Sequence, residues 1–121
     1  MTPHQAGRHA EVAVADYLFA HGFAILGRNV RVGPLEIDVV ARRGPLVVIA
    51  EVRTRRPGAR VGSFESVGPR KRERLLRAAR RLWSRHLSSD ATIRRVRIDV
   101  AAVTFDAGRT RIEYAEGAIG A

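Results

Sequence analysis

The stretch EIDVVARRGPLVVIAEVRTR, Glu36–Arg55, decides how this chain folds. Two apolar runs, LEIDVVAR from Leu35 and LVVIAEVRT from Leu46, flank RRGP, whose Gly and Pro form turns, so the stretch reads as a β-hairpin. Strand side chains alternate, which places Glu36, Asp38 and Val40 on one face and Leu35, Ile37, Val39 and Ala41 on the other. On the second strand Val47, Ile49, Glu51 and Arg53 oppose Leu46, Val48, Ala50 and Val52. Both faces are apolar apart from the charges, which predicts a sheet covered by helices on both sides. Asp38 and Glu51 are then partly buried acids. A tight turn at Arg43 and Gly44 sets Glu36 and Asp38 opposite or diagonal to Glu51 on one face. A two-residue slip in register keeps that facing, and a one-residue slip inverts it.

Carboxylates at cross-strand distance repel unless positive charge lies between them. Two arrangements meet that need. A hard divalent cation takes carboxylate oxygens, keeps some of its waters and bridges to phosphate, and it requires only one or two protein acids. Alternatively, Arg53, Arg31 or an arginine of the second helix neutralises the pair as an internal ion pair. Glu11 borders the apolar stripe of the first helix, so it either faces solvent or reaches the sheet in support.

Outward from the hairpin, Ala10, Ala13, Val14, Tyr17 and Leu18 recur at helical spacing between Ala6 and His21, with Gly22 where a helix would stop. FAILGRNVR, from Phe23, is a strand joined by VGP to the next, which makes an antiparallel meander of three. After the loop RRPGARVGSF, Ser66 is the expected cap of a second helix running to about Leu87, with Pro69 in its first turn. Its stripe is Leu75, Leu76, Ala79, Leu82, Trp83 and Leu87, flanked by arginines that form either a solvated or a phosphate-facing side. VRIDVAAVTF and TRIEYAEG add two strands around DAGR. The predicted order is α-β-β-β-α-β-β, an α/β fold with a mixed sheet flanked by helices, in one domain spanning residues 1–121.

The chain carries 22 Lys and Arg against 12 Asp and Glu, a net charge of +10, which suits a polyanionic partner. Lys71 is the only lysine. Without cysteine, disulfides and thiolate metal sites are excluded. His4, His9, His21 and His86 lack zinc-site spacing, and Ser63 and Ser66 lack the context of a serine nucleophile. No apolar run reaches membrane-span length and the N-terminus has no secretory apolar core, so the expectation is a cytoplasmic protein without a membrane partner.

GRHAEVAVADYLFAHGFAILGRNVR, EIDVVAR, IAEVRTR, SVGPRKRERLLRAAR and RIDVAAV, in that order, resemble the YraN family of small bacterial endonuclease-like proteins. That family resembles the PD-(D/E)XK nuclease superfamily, whose restriction-endonuclease-like core has the order read above and is shared with archaeal Holliday-junction resolvases. The resemblance implies a metal-dependent endonuclease that hydrolyses phosphodiester bonds of DNA, rather than RNA, and branched DNA by analogy with the resolvases. Asp38 and Glu51 would hold magnesium or manganese, Glu11 would support the metal or its water, and Arg53 would contact the scissile phosphate. Arg31, Arg55, Arg56, Arg60, Lys71 and Arg74 would grip backbone phosphates, and Arg28, Asn29, Glu36 and Asp99 are further positions of the family pattern. A homodimer is implied by the same analogy.

Two residues depart from that pattern. Leu35 stands where a glycine commonly precedes Glu-Ile-Asp, and Arg53 stands where the superfamily's E-x-K element has lysine. Arginine stays protonated, so Arg53 can position phosphate or stabilise charge but cannot take a proton. The alternatives are a nucleic-acid-binding module of the same fold without chemistry, and a protein-interaction adaptor whose acids are salt-bridged.

Overall fold

The computed structural model describes residues 1–58 and 67–120. Helix α1 spans Pro3–Ala20. It starts before the apolar stripe because Thr2 and Gln5 form a capping box: Thr2 Oγ1 accepts from the Gln5 amide at 3.2 Å, and Gln5 Oε1 accepts from the Thr2 amide at 2.8 Å. Strands β1 (Ala24–Val32), β2 (Leu35–Arg43) and β3 (Leu46–Arg55) form the expected antiparallel meander, with β2 and β3 in register from Val39 opposite Ala50 to Arg43 opposite Leu46.

Strand β4 (Arg95–Asp106) lies parallel to β3, paired from Leu46 with Arg95 to Arg55 with Thr104, and β5 (Arg109–Ile119) closes the sheet antiparallel to β4. The sheet order is β1-β2-β3-β4-β5. A parallel pair needs a crossover, and helix α2 (Pro69–Leu82) supplies it. Pro69 occupies its first turn, and Gly68, without a side-chain bond, holds the cap position. Ser66, the cap expected from the sequence, lies outside the described residues. Beyond Leu82 the helix widens into a π turn, Trp83–Leu87, closed by the Ser88 amide donating to the Trp83 carbonyl at 2.8 Å.

The helices cover opposite faces, as the two-sided apolar pattern requires. α1 places Ala10, Val14 and Leu18 on Val39, Ala41, Val48, Ala50, Ala101 and Val103. α2 places Ala78 and Leu82 on Val40, Val47 and Ile49, and Leu75 on Ile98, Val100 and Ile119. Burying each larger aliphatic side chain stabilises the fold by about 1.5–3 kcal/mol, so β3, buried from Leu46 through Glu51, is its anchor. No helix is long and apolar enough to cross a membrane among the described residues.

Two details depart from the periodicities. Trp83, placed in the core stripe by spacing, is 36% exposed, and Ala78 is buried instead. At about 100° per residue, Trp83 sits a quarter-turn off the Leu75–Ala78–Leu82 line. In β2, Ile37 packs with the α2 cluster and Val39 with the α1 cluster, although strict alternation gives them one face. The pleat therefore turns at Asp38. Across from it, between the partners of Ile37 and Val39, Asn29 has a left-handed backbone with φ 52°.

Candidate active site

Among the described residues the buried charged side chains are Glu51 and Asp99. Glu51 is held in the middle of the sheet by β3, with 6% of its surface exposed. Lys71, in the first turn of α2, reaches down to it, and Lys71 Nζ lies 2.6 Å from Glu51 Oε1. Lys71 thus pairs with Glu51, whose charge is also felt by Arg53, one of the arginines expected there from the sequence. That long-range pairing joins β3 to the start of α2.

Asp38 continues the register that sets Val39 opposite Ala50, which brings it across from Glu51. The paired residues of β2 and β3 stop at Val39, and beyond them the Asp38 carboxylate ties the strands by accepting the Val52 amide at 2.9 Å. Burial, and then the nearby Glu51 charge, push the Asp38 carboxyl up to about 7; the Val52 bond and Lys71 oppose the shift and Glu11 adds to it. A cleft of about 260 Å³ opens here, lined by Glu36, Asp38, Glu51, Lys71 and Arg74 over Leu35 and Leu75. A carboxylate that burial and a neighbouring acid hold short of positive charge is the arrangement a further cation would relieve.

Glu11 is half-buried on α1 and accepts from Asn29 Nδ2 at 3.1 Å. Its charge is felt at Asp38, although it does not line the cleft of Asp38 and Glu51. Asn29 and Glu11 belong instead to an adjoining cleft of about 470 Å³ that shares Glu36. Glu36 is exposed and lies 3.9 Å from Arg31. The residues that fit a divalent ion are the pair Asp38 and Glu51, a hard oxygen donor set of the size magnesium uses when substrate and water complete its sphere.

Arg53 lies two residues past Glu51 on β3, half-buried, and burial together with Arg55 lowers its guanidinium below its ordinary range. It remains a cation. Arg74 lines the cleft, Arg28 and Arg56 are exposed, and Arg60 lies outside the described residues.

Asp99 is not part of this cleft. It is fully buried and satisfied: Arg97 donates from Nε at 2.8 Å and Nη2 at 3.0 Å, the Tyr114 hydroxyl donates at 2.6 Å, and the Gly117 amide at 2.8 Å. Tyr114 stacks on Tyr17 of α1, and burial with the Asp99 bond drives its hydroxyl pKa well above the ordinary value. This network clamps β5 to β4 at the register shift between Ile98 and Val100. Lys71 was expected from the resemblance as a phosphate contact; its pairing with Glu51 has no signal in the sequence beyond its being the single lysine.

Known relatives share this architecture's sequence. The pattern of the family described as "Uncharacterised protein family UPF0102" matches residues 10–103, which takes in α1 from Ala10 onward, the meander, α2 and most of β4. The chain is 47% identical over 113 residues to a UPF0102 protein of Sorangium cellulosum, covering 93% of this chain and 78% of the relative. It is 44% identical over 112 residues to one from an Arthrobacter strain, covering 92% of each, and 42% identical over 108 residues to one from Anaeromyxobacter dehalogenans, covering 89% of this chain and 78% of the relative. With a restriction-endonuclease-like α/β core and a family match over most of its length, this chain belongs to the UPF0102, or YraN, family.

Proposed function

We propose that this protein is a metal-dependent endonuclease acting on DNA, with its site in the cleft between β2, β3 and the start of α2. The observation that carries the reading is the contact of Lys71 with Glu51 beside Asp38. It supplies, from a helix, the lysine that the E-x-K position lacks. Lysine, unlike arginine, is a residue type that can act in proton transfer, and the Lys71 side chain lines the cleft.

Asp38 and Glu51 would hold magnesium or manganese, which when bound supplies charge neutralisation and Lewis acidity at the phosphate. The protein's own residues do the rest. Lys71 fixes the Glu51 carboxylate and is placed to pass a proton at Nζ to or from the attacking water. Arg53 and Arg74 orient the phosphate and stabilise charge that builds on its oxygens. The Val52 amide fixes the Asp38 rotamer, and the buried β3 scaffold keeps the acids in place.

The test is incubation of the purified protein with labelled branched and linear DNA in magnesium, manganese or chelator. Nicking that needs the metal and disappears in Asp38→Ala and Glu51→Ala is the expected result. Cleavage indifferent to both substitutions sinks the reading. One observation favours a second reading, a binding module without chemistry: the Lys71–Glu51 ion pair already neutralises one acid from within. That reading predicts DNA binding that weakens steeply with salt, survives both substitutions and is never followed by cleavage.

A further inference from the structure

Lys71, Arg74, Arg77, Arg80 and Trp83 recur at every third residue of α2 and its π turn. Side chains at that spacing are neighbours and form one ridge winding slowly across a helix. Lys71 starts this ridge at the candidate active site, Arg74, Arg77 and Arg80 carry it over the exposed side of α2, and Trp83 ends it on the opposite flank. There a groove of about 500 Å³ lies between the helix, the start of β4 and the end of β5. Trp83 lies against it with the apolar side chains of Leu76, Ala79 and Ile98. Arg80, Arg94 and Arg95 line the groove together with Arg97, which is paired with Asp99 and Glu116, and among the described residues no acid lines it.

A large aromatic ring left 36% exposed beside an apolar groove with an arginine rim has the chemistry of a nucleobase-stacking post next to phosphate contacts. We propose that α2 guides a single strand of nucleic acid: Arg74, Arg77 and Arg80 hold successive phosphates, and an unpaired base stacks on Trp83, roughly 18 Å along the helix from Lys71. The proposal deepens the nucleic-acid reading above by naming the substrate feature, an unpaired strand flanking the cut. It does not depend on cleavage.

Trp83 is the only tryptophan, so its emission reports the groove directly. In chelator, a thymidine oligonucleotide titrated into the full protein is expected to quench that emission. An abasic sugar-phosphate oligomer of equal length should bind, by anisotropy of a labelled end, without quenching. Trp83→Ala weakens thymidine-oligomer binding about tenfold, Trp83→Phe much less, and neither alters binding of the abasic oligomer. Arg77→Ala and Arg80→Ala weaken both oligomers alike.

Equal quenching by the two oligomers, unchanged thymidine affinity in Trp83→Ala, or no binding of either oligomer overturns the proposal. Quenching on concentration of the protein alone, with a dimer in sedimentation, assigns the groove to a second copy; equal quenching by polyglutamate assigns it to an acidic peptide. Either result also overturns it. Should Trp83→Ala fail to fold, the comparison of oligomers on the unaltered protein decides. Base stacking without metal-dependent nicking would remove the proposed chemistry and leave the strand path intact.

Discussion

Lys71 Nζ and Glu51 Oε1 lie 2.6 Å apart, a helix cation on a strand acid that is almost fully enclosed. Their pairing changes the significance of Arg53. An arginine at the E-x-K position reads as a loss of the lysine, but the cleft contains a lysine from another element.

If Lys71 serves in proton transfer, Lys71→Met slows manganese-dependent nicking of branched DNA about a hundredfold or more. Arg53→Lys alone leaves the rate close to its starting value, and Arg53→Lys combined with Lys71→Met regains part of the loss. Initial nicking rates of the three proteins, each checked for folding by circular dichroism, decide the point. A full rate in Lys71→Met excludes the role.

Asp38 makes stability depend on pH in a definite sense. Its carboxyl titrates near 3.8 in the unfolded chain and about 7 in the fold. Below the lower value both states hold the proton. Between the two the native state keeps a proton that the unfolded state has released, so stability falls as pH rises and the loss is complete above about 7. Asp38→Asn can still accept the Val52 amide and carries no charge. It should therefore raise the melting temperature at pH 8, by about 2–4 kcal/mol in stability, and lose that advantage near pH 4. Thermal denaturation in chelator measures both. Manganese added at pH 8 should raise the melting temperature of the unaltered protein and leave that of Asp38→Asn in place.

The Asp99 network predicts a different pattern, of stability without chemistry. Asp99→Ala strands the Tyr114 hydroxyl and the Gly117 amide and leaves the Arg97 guanidinium with Glu116 alone, at a cost of about 3–5 kcal/mol. Tyr114→Phe removes one hydrogen bond, at about 1 kcal/mol. Urea denaturation measures these losses, and the manganese-induced rise in melting temperature should persist in Tyr114→Phe.

Gly33, in the turn between β1 and β2, has φ 62°, and a Cβ there would run into the Arg81 guanidinium of α2. Gly33→Ala therefore combines backbone strain of about 1–2 kcal/mol with a steric clash, whereas Gly44→Ala, at φ 59° with open space, carries the strain alone. Adding Arg81→Ala to Gly33→Ala should bring its loss in urea denaturation down to that of Gly44→Ala. Equal losses in both single variants would show that the Arg81 side chain simply moves aside.

Much of this fold is legible in the residues because strand and helix periods are local. Val47, Ile49 and Glu51 against Val48, Ala50 and Val52 announce a two-sided strand, and the helix on each face follows. Trp83 escapes that logic because an apolar residue a quarter-turn from the stripe looks like core until the width of the covering sheet is known. The break at Asp38 escapes it too, since the left-handed Asn29 that faces it belongs to another strand.

The site divides along the same line. Sequence alone indicated that Asp38 and Glu51 are strand acids on a common face, because alternation and a tight turn give that facing, which a two-residue slip in register keeps and a one-residue slip inverts. Only the tertiary structure decided that Lys71 reaches Glu51 and that Asp99 is a clamp. Those outcomes depend on where α2 docks and how β5 bulges, contacts between segments far apart in the chain that no local pattern encodes. Lys71 meets Glu51 because the helix crossing from β3 to β4 must pack its Leu75–Leu82 stripe on the sheet, and that packing aims its first turn at the opening between β2 and β3.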